Sequence, residues 1–193
     1  MKDLIAELRA SIAATLLLAV LCCGIYPVAV LAVGQGLFSD KANGSMVRFN
    51  GKIVGSALIA QGFAGPAYFH PRPSAAGQGY DAVNSGGTNL GPTSKKLIED
   101  VKQRVADYRV ENDLSSDTLV PADSVTSSAS GLDPHISVRN ALLQAARVAK
   151  ARGIGEKDVL AKVEAHTEGR TLGFLGESRV NVLTLNLSLD GRM

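Results

Sequence analysis

Tryptophan is absent from this chain of 193 residues, and aromatic residues make up only 5% of it. So few large rigid side chains fit a small, loop-rich domain better than a large enzyme core, and the 20 glycines point the same way. Cysteine occurs only as the adjacent pair Cys22 and Cys23. Neighbours in sequence rarely bond to each other, so no disulfide framework is expected. An excess of one charge is missing too: the net charge is +2, and neither end carries a like-charge tail. That balance excludes the basic footprint of a nucleic-acid-binding protein. The most informative absence is local, for no charged residue occurs between Ala10 and Ser39.

Within that stretch Ile12 to Val33 is almost wholly apolar. It exceeds the roughly 20 residues that a helix needs to cross a bilayer core. Lys2, Asp3, Glu7 and Arg9 precede it, and Gly34, Gln35 and Gly36 end it. Pro27 is compatible with a membrane helix. A cleavable signal peptide is the competing reading, but its apolar region is usually shorter, about 7–15 residues. The expected organisation is a short tail over 1–9, a transmembrane helix over 10–34 and a soluble α/β domain over 35–193. Both cysteines fall inside the span, so redox chemistry leaves either side of the membrane open to the domain. The positive-inside rule gives a weak push towards a short tail inside and the long domain outside.

The soluble part opens with turn dipeptides at Asn43-Gly44 and Asn50-Gly51, which predict two strands around Met46–Phe49 and Ile53–Ile59. Residues 61–92 are dense in Gly, Pro, Ser and Asn, and a loop of that length is often functional. Ser94 or Thr93 caps a predicted helix with Leu97, Ile98, Val101, Val105 and Tyr108 on one face. A second polar loop covers 121–133. Asp133-Pro134 then predicts a helix start, and Arg152-Gly153 its end. A shorter helix is expected over Glu156–His166. Leu183, Leu185, Leu187 and Leu189 alternate with Thr184, Asn186 and Ser188, which predicts a half-buried strand. The fold class is mixed α/β, with the polar loops gathered on one side.

Catalytic signatures are scarce. Gly86 and Gly91 have the glycine spacing of a phosphate-binding loop, but Pro92 and Thr93 stand where it requires Lys and Ser/Thr. No G-x-S-x-G or H-E-x-x-H sequence occurs, and His70, His135 and His166 have no ligand-like spacing, so no metal is expected. No aspartyl-phosphate D-K-T-G sequence is present, so any pump chemistry belongs to another chain. Asp133, His135 and Ser137 lie too close in sequence to converge readily as a triad. Their plainer roles are a helix cap and contacts to loop backbone.

Four segments carry a family resemblance. They are Tyr68-Phe69-His70-Pro71-Arg72-Pro73-Ser74-Ala75, Ser85-Gly86-Gly87-Thr88-Asn89-Leu90-Gly91, residues 121–137 (PADSVTSSASGLDPHIS) and Val180-Asn181-Val182-Leu183-Thr184-Leu185-Asn186-Leu187. Together they resemble KdpC, the C-subunit family of bacterial Kdp potassium-transporting ATPases, over essentially the whole chain. The resemblance implies an accessory, non-catalytic subunit of a bacterial inner-membrane complex. Its partners would be a channel-like potassium-translocating subunit, a P-type ATPase subunit and a very small single-span subunit. It implies roles in assembly and in raising the ATPase subunit's affinity for ATP. No cofactor of the chain's own is implied; ATP would be met in a ternary complex with the ATPase subunit. A domain outside the cell cannot touch cytosolic nucleotide, so either the domain lies inside or it acts through its membrane partners.

For direct nucleotide contact, the candidates are the Ser85-Gly86-Gly87 loop and Gln144 on the helix Ala141-Leu142-Leu143-Gln144. Arg72, held between prolines, suits partner docking or a bridge between its own loops. Asn89 and Ser128, in the Ser127-Ser128-Ser130 cluster, divide between fixing irregular backbone and facing a partner. His135 is the candidate base of an alternative reading, a membrane-tethered hydrolase. A stand-alone periplasmic binding module is another alternative. In the span, Ala13, Ala14, Ala19 and Gly24 are small residues that would permit close helix packing.

Overall fold

A computed structural model describes residues 2–191. The chain divides between residues 45 and 46 into two compact units. The first contains α1 (Lys2–Ala19), a π-helical turn (Val20–Ile25), α2 (Tyr26–Leu37) and a short α3 (Ser39–Ala42). Leu4–Leu37 is apolar and long enough to cross a membrane, and none of its most apolar window is buried within the protein. The π turn has a local cause. Pro27 has no N–H to give to Cys23, and its ring would crowd that carbonyl in a regular α-helix. The turn widens instead, and the Tyr26 N–H reaches Leu21 O, five residues back. Cys22 and Cys23 lie in this turn as exposed free thiols.

The second unit begins with an antiparallel hairpin, β1 (Met46–Phe49) and β2 (Lys52–Ser56), bulged between Val47 and Arg48. Asn50 and Gly51 both take positive φ at its turn, as an Asn-Gly hairpin requires. After the long loop come α4 (Lys95–Glu111), α5 (Ala122–Val125), β3 (His135–Ser137), α6 (Val138–Arg152), α7 (Glu156–Ala165), β4 (Thr167–Glu168), β5 (Arg179–Asn181) and α8 (Val182–Leu189). β5 is the centre of an antiparallel sheet ordered β3-β5-β4. The core is modest and mostly small: Phe69, Ile136, Ala141, Ala145, Val148, Val159, Val163, Val180 and Leu185 close around α6, α7 and α8.

Ser94 caps α4 as expected, accepting from the Leu97 N–H, and Gly153 ends α6 in the left-handed conformation. Of the face expected to bury α4, only Tyr108 is fully enclosed, and Ile98 remains 46% exposed. Two expectations are corrected. The Leu183–Leu189 segment is the helix α8 rather than a strand. It is enclosed on nearly every side, so it has no solvent face to impose a helical period, and the leucine alternation carried no information about the backbone. Asn181 caps it by accepting from the Thr184 N–H. Asp133 does not cap α6 either. His135–Ser137 first pairs with β5, burying Ile136, and Ser137 Oγ then accepts from the Asn140 N–H as the true cap.

Candidate functional site

The long loop is held in the way a strand would be, but by side chains. Phe69 gives its N–H to Asn186 Oδ1 (2.8 Å), and its carbonyl accepts from Asn186 Nδ2 (2.9 Å). His70 repeats the pattern with Gln144: its N–H meets Oε1 at 2.7 Å and its carbonyl accepts from Nε2 at 3.2 Å. Two buried amides, one from α8 and one from α6, therefore grip consecutive peptide units. Burial of this backbone demands such partners. Gln144 also donates to Asn140 Oδ1 and accepts from Arg147, while Tyr108 Oη donates to the same Asn140 oxygen at 2.8 Å. Burial, reinforced by the Asp123 charge, raises the Tyr108 pKa and keeps that phenol a donor. Asp123 organises the other end, accepting from Asn140 Nδ2 and from both the N–H and the hydroxyl of Ser137.

Above this floor lies a cavity of about 540 Å³ whose walls include Phe63, His70, Pro73, Tyr80, Tyr108 and Glu111. His70 Nδ1 stands 2.9 Å from Glu111 Oε1, and that hydrogen bond lowers the Glu111 pKa. Arg147 donates to the carbonyls of Pro66 and Tyr68, at the start of the same loop segment.

The two polar loops form one surface. Arg72 donates to Asp133 Oδ2 at 2.9 Å and reaches the Thr126 carbonyl at 3.4 Å. Ser74 Oγ donates to Gly131 O while accepting from the Ala76 and Tyr80 N–H groups. The Gly86 N–H and Ser85 Oγ both donate to Ser130 O. Gly131 has φ +67, and a Cβ there would lie 2.7 Å from Ala76 N and from Gly86 O. Gly87 passes close enough that its Cβ would lie 3.1 Å from Ala129 O. Asn89 takes a positive φ. Ser128 Oγ is 3.3 Å from Ser130 Oγ, and Ser127 Oγ is buried without a partner.

The structure thus joins Arg72, Ser85, Gly86, Gly87 and Ser128 in the loop surface, whereas Gln144 lies beneath, 1% exposed. His135, on β3, borders that surface through Asp133, the Arg72 partner. Its backbone N–H donates to Asp133 Oδ1 at 3.0 Å, its Nδ1 is 3.6 Å from the same carboxylate and its Nε2 is 3.8 Å from Glu168. The Ser137 hydroxyl donates to Asp123 and caps α6. Burial opposes the Asp133 charge, but His135 and Arg72 outweigh it and hold the pKa down at about 2. Among the described residues no group of three or more His, Cys, Asp or Glu side chains is arranged for a metal ion. Sequence reading missed Asn140, Asn186 and Asp123. The one signal for them was a polar Asn186 amid leucines. In the apolar N-terminal helix, Ala19 and Gly24 share a groove with Leu16, Cys23, Ala29 and Ala32, while Ala13 and Ala14 lie outside its lining.

Residues 8–191 match the family model described as KdpC, K+-transporting ATPase, c chain. The chain is 58% identical to a Mycobacterium tuberculosis protein over 166 residues, covering 86% of this chain and 88% of the relative. It is 52% identical to a Koribacter versatilis protein over 190 residues, 98% of this chain and 95% of the relative. A Nitratidesulfovibrio vulgaris protein is 55% identical over 183 residues, 94% and 92% of the two chains. Each of these relatives is named a potassium-transporting ATPase KdpC subunit.

Proposed function

The chain belongs to the KdpC family, and from that premise we propose that it is a non-catalytic accessory subunit of an ATP-driven potassium uptake complex in the bacterial inner membrane. In this reading it secures assembly and raises the P-type ATPase subunit's affinity for ATP. Its partners are that subunit, the channel-like potassium-translocating subunit and a small single-span subunit. The observation that supports it most is the fused loop surface. Arg72, Asp133, Ser74, Ser85 and Gly86 tie residues 61–92 to residues 121–133 at several points. A surface ordered before it meets its partner loses little entropy on docking.

The soluble unit is proposed to lie on the periplasmic side, with its effect on ATP binding passing through membrane partners rather than through a nucleotide pocket of its own. The groove at Ala19 and Gly24 is the proposed packing surface in the membrane, because small residues allow close backbone approach. Ala13 and Ala14, outside that groove, are proposed as further close-approach points on the same helix. Ser85, Gly86, Gly87, Asn89 and Ser128 are proposed as partner contacts on the loop surface. Gln144 and His135 would contribute by holding that surface in shape.

Two measurements test this. A compartment-sensitive reporter fused after Met193 is expected to be active only on the periplasmic side; a cytoplasmic signal would overturn the indirect route. ATPase assays of the complex purified with and without this subunit are expected to show a higher KM for ATP in its absence. Hydrolysis of ATP by the isolated chain at the rate of the complex would remove the accessory reading altogether.

A further inference from the structure

Residues 169–178 join β4 to β5 and have no part in the reading above. Their tip exposes Leu172 (79%), Phe174 (68%) and Leu175 (48%) within four positions. Single exposed apolar side chains are ordinary, but a cluster on one projecting turn is the usual mark of an interaction site. The turn is ordered. Thr171 and Leu175 exchange both backbone hydrogen bonds at 2.9 Å, and the Gly173 N–H donates to Arg170 O at 3.0 Å. Leu172 itself takes φ +55, a region in which a bulky side chain is strained, beside Gly173 and Gly176 at φ +83 and +77. A glycine or asparagine at 172 would relieve both the strain and the exposure. The chain instead holds a large apolar group outward at a backbone cost, a pattern typical of functional segments.

The base of the turn identifies the kind of partner. Arg170 pairs with Glu177 at 3.0 Å, and Arg179 pairs with Glu168 at 2.9 Å. Two cations and two anions leave the collar neutral. A loop that enters anionic lipid carries surplus Lys or Arg around its apolar tip, and this one carries none. A buried protein contact has the composition seen here: apolar anchors at the centre, with charges confined to the rim and matched in sign.

We propose that the Leu172-Phe174-Leu175 tip is a preordered docking finger that fills an apolar, neutral-rimmed pocket on another subunit of the potassium-transporting assembly. The proposal rests on the accessory-subunit reading and adds a specific contact to it. Because β5 continues directly into α8, the finger is fixed to the buried centre of the soluble unit. Its capture by a partner would orient that whole unit.

The test uses the complete assembly in membranes. A photoreactive phenylalanine analogue at position 174 is expected to cross-link to one other subunit of the complex; cross-linking to lipid alone, or none in an assembled complex, overturns the proposal. The double variant Leu172→Ser, Phe174→Ser is expected to lower the amount of the other subunits that co-purify with this chain at least tenfold, with its circular dichroism and melting temperature unchanged. Val110→Ser, which alters a side chain 83% exposed on α4, outside the finger and both polar loops, is expected to leave co-purification intact. Retention of the double variant at the wild-type level refutes the finger while leaving the accessory reading standing. Failure of the wild-type chain to co-purify removes both.

Discussion

Asp133 is held between opposing influences, and the outcome is measurable. Its folded pKa of about 2 lies below the 3.8 usual for an aspartate. Such a group adds stability above its unfolded pKa, and that contribution is lost as pH falls through the folded value. The shift corresponds to about 2 kcal/mol before allowance for solvent screening, and to about 1 kcal/mol after it, since the side chain is 30% exposed. Acid titration of stability is therefore expected to show a loss between about pH 4 and pH 2 that is reduced in Arg72→Ala. An Arg72→Ala chain whose acid limb matches wild type would refute the role given to this pair. At the same scale, Asn186→Leu removes both partners of the Phe69 peptide unit. A buried N–H and C=O left unpaired cost about 1–3 kcal/mol each, so urea denaturation is expected to show a loss of at least 2 kcal/mol, roughly two such groups. A loss below about 0.5 kcal/mol, less than one unpaired group, would mean that water replaces the amide.

Between elements, the joint of the two loops depends on Gly131. A methyl group there meets backbone atoms of both Ala76 and Gly86, which have no flexible side chain to swing aside. Gly131→Ala is expected to cost about 2–4 kcal/mol through positive-φ strain and overpacking, and to raise proteolysis at residues 74–92. Unchanged thermal stability would refute the tight apposition. The same scale shows why two elements were misread. α8 is enclosed on nearly every side, so its hydrophobic pattern lacks the exposed polar face from which a helical period is read. β3 consists of three residues whose identity as a strand comes from β5, 42 residues later in the chain. Asp133-Pro134 does resemble a helix start, and only pairing of the neighbouring residues across the sheet moves the start to Ser137.

For the molecule as a whole, the soluble unit is a small core wrapped by two polar loops that side chains, not strands, hold in place. Truncating the grip on both sides tests whether this order matters to the assembly. An Asn186→Ala, Gln144→Ala chain is expected to co-purify with its partners at reduced yield and to raise the KM for ATP of the complex. If the complex forms in full and its KM is unchanged, preordering of the loops has no part in the function.

The apolar helix, the mixed α/β class, the caps at Ser94 and Gly153 and the family were all legible in the sequence. Each depends on local chemistry or on runs of residue types: a charge-free stretch long enough to cross a bilayer, a side chain capping its own helix, motifs in a set order. The amide grip of Gln144 and Asn186 on Phe69 and His70, the Arg72 bridge and the joint at Gly131 were decided only by the tertiary structure. Those contacts join residues from 45 to 117 positions apart, and no local pattern records which buried amide will meet which peptide unit. A polar residue within an apolar stretch signals that a partner must exist; only the packed chain supplies it.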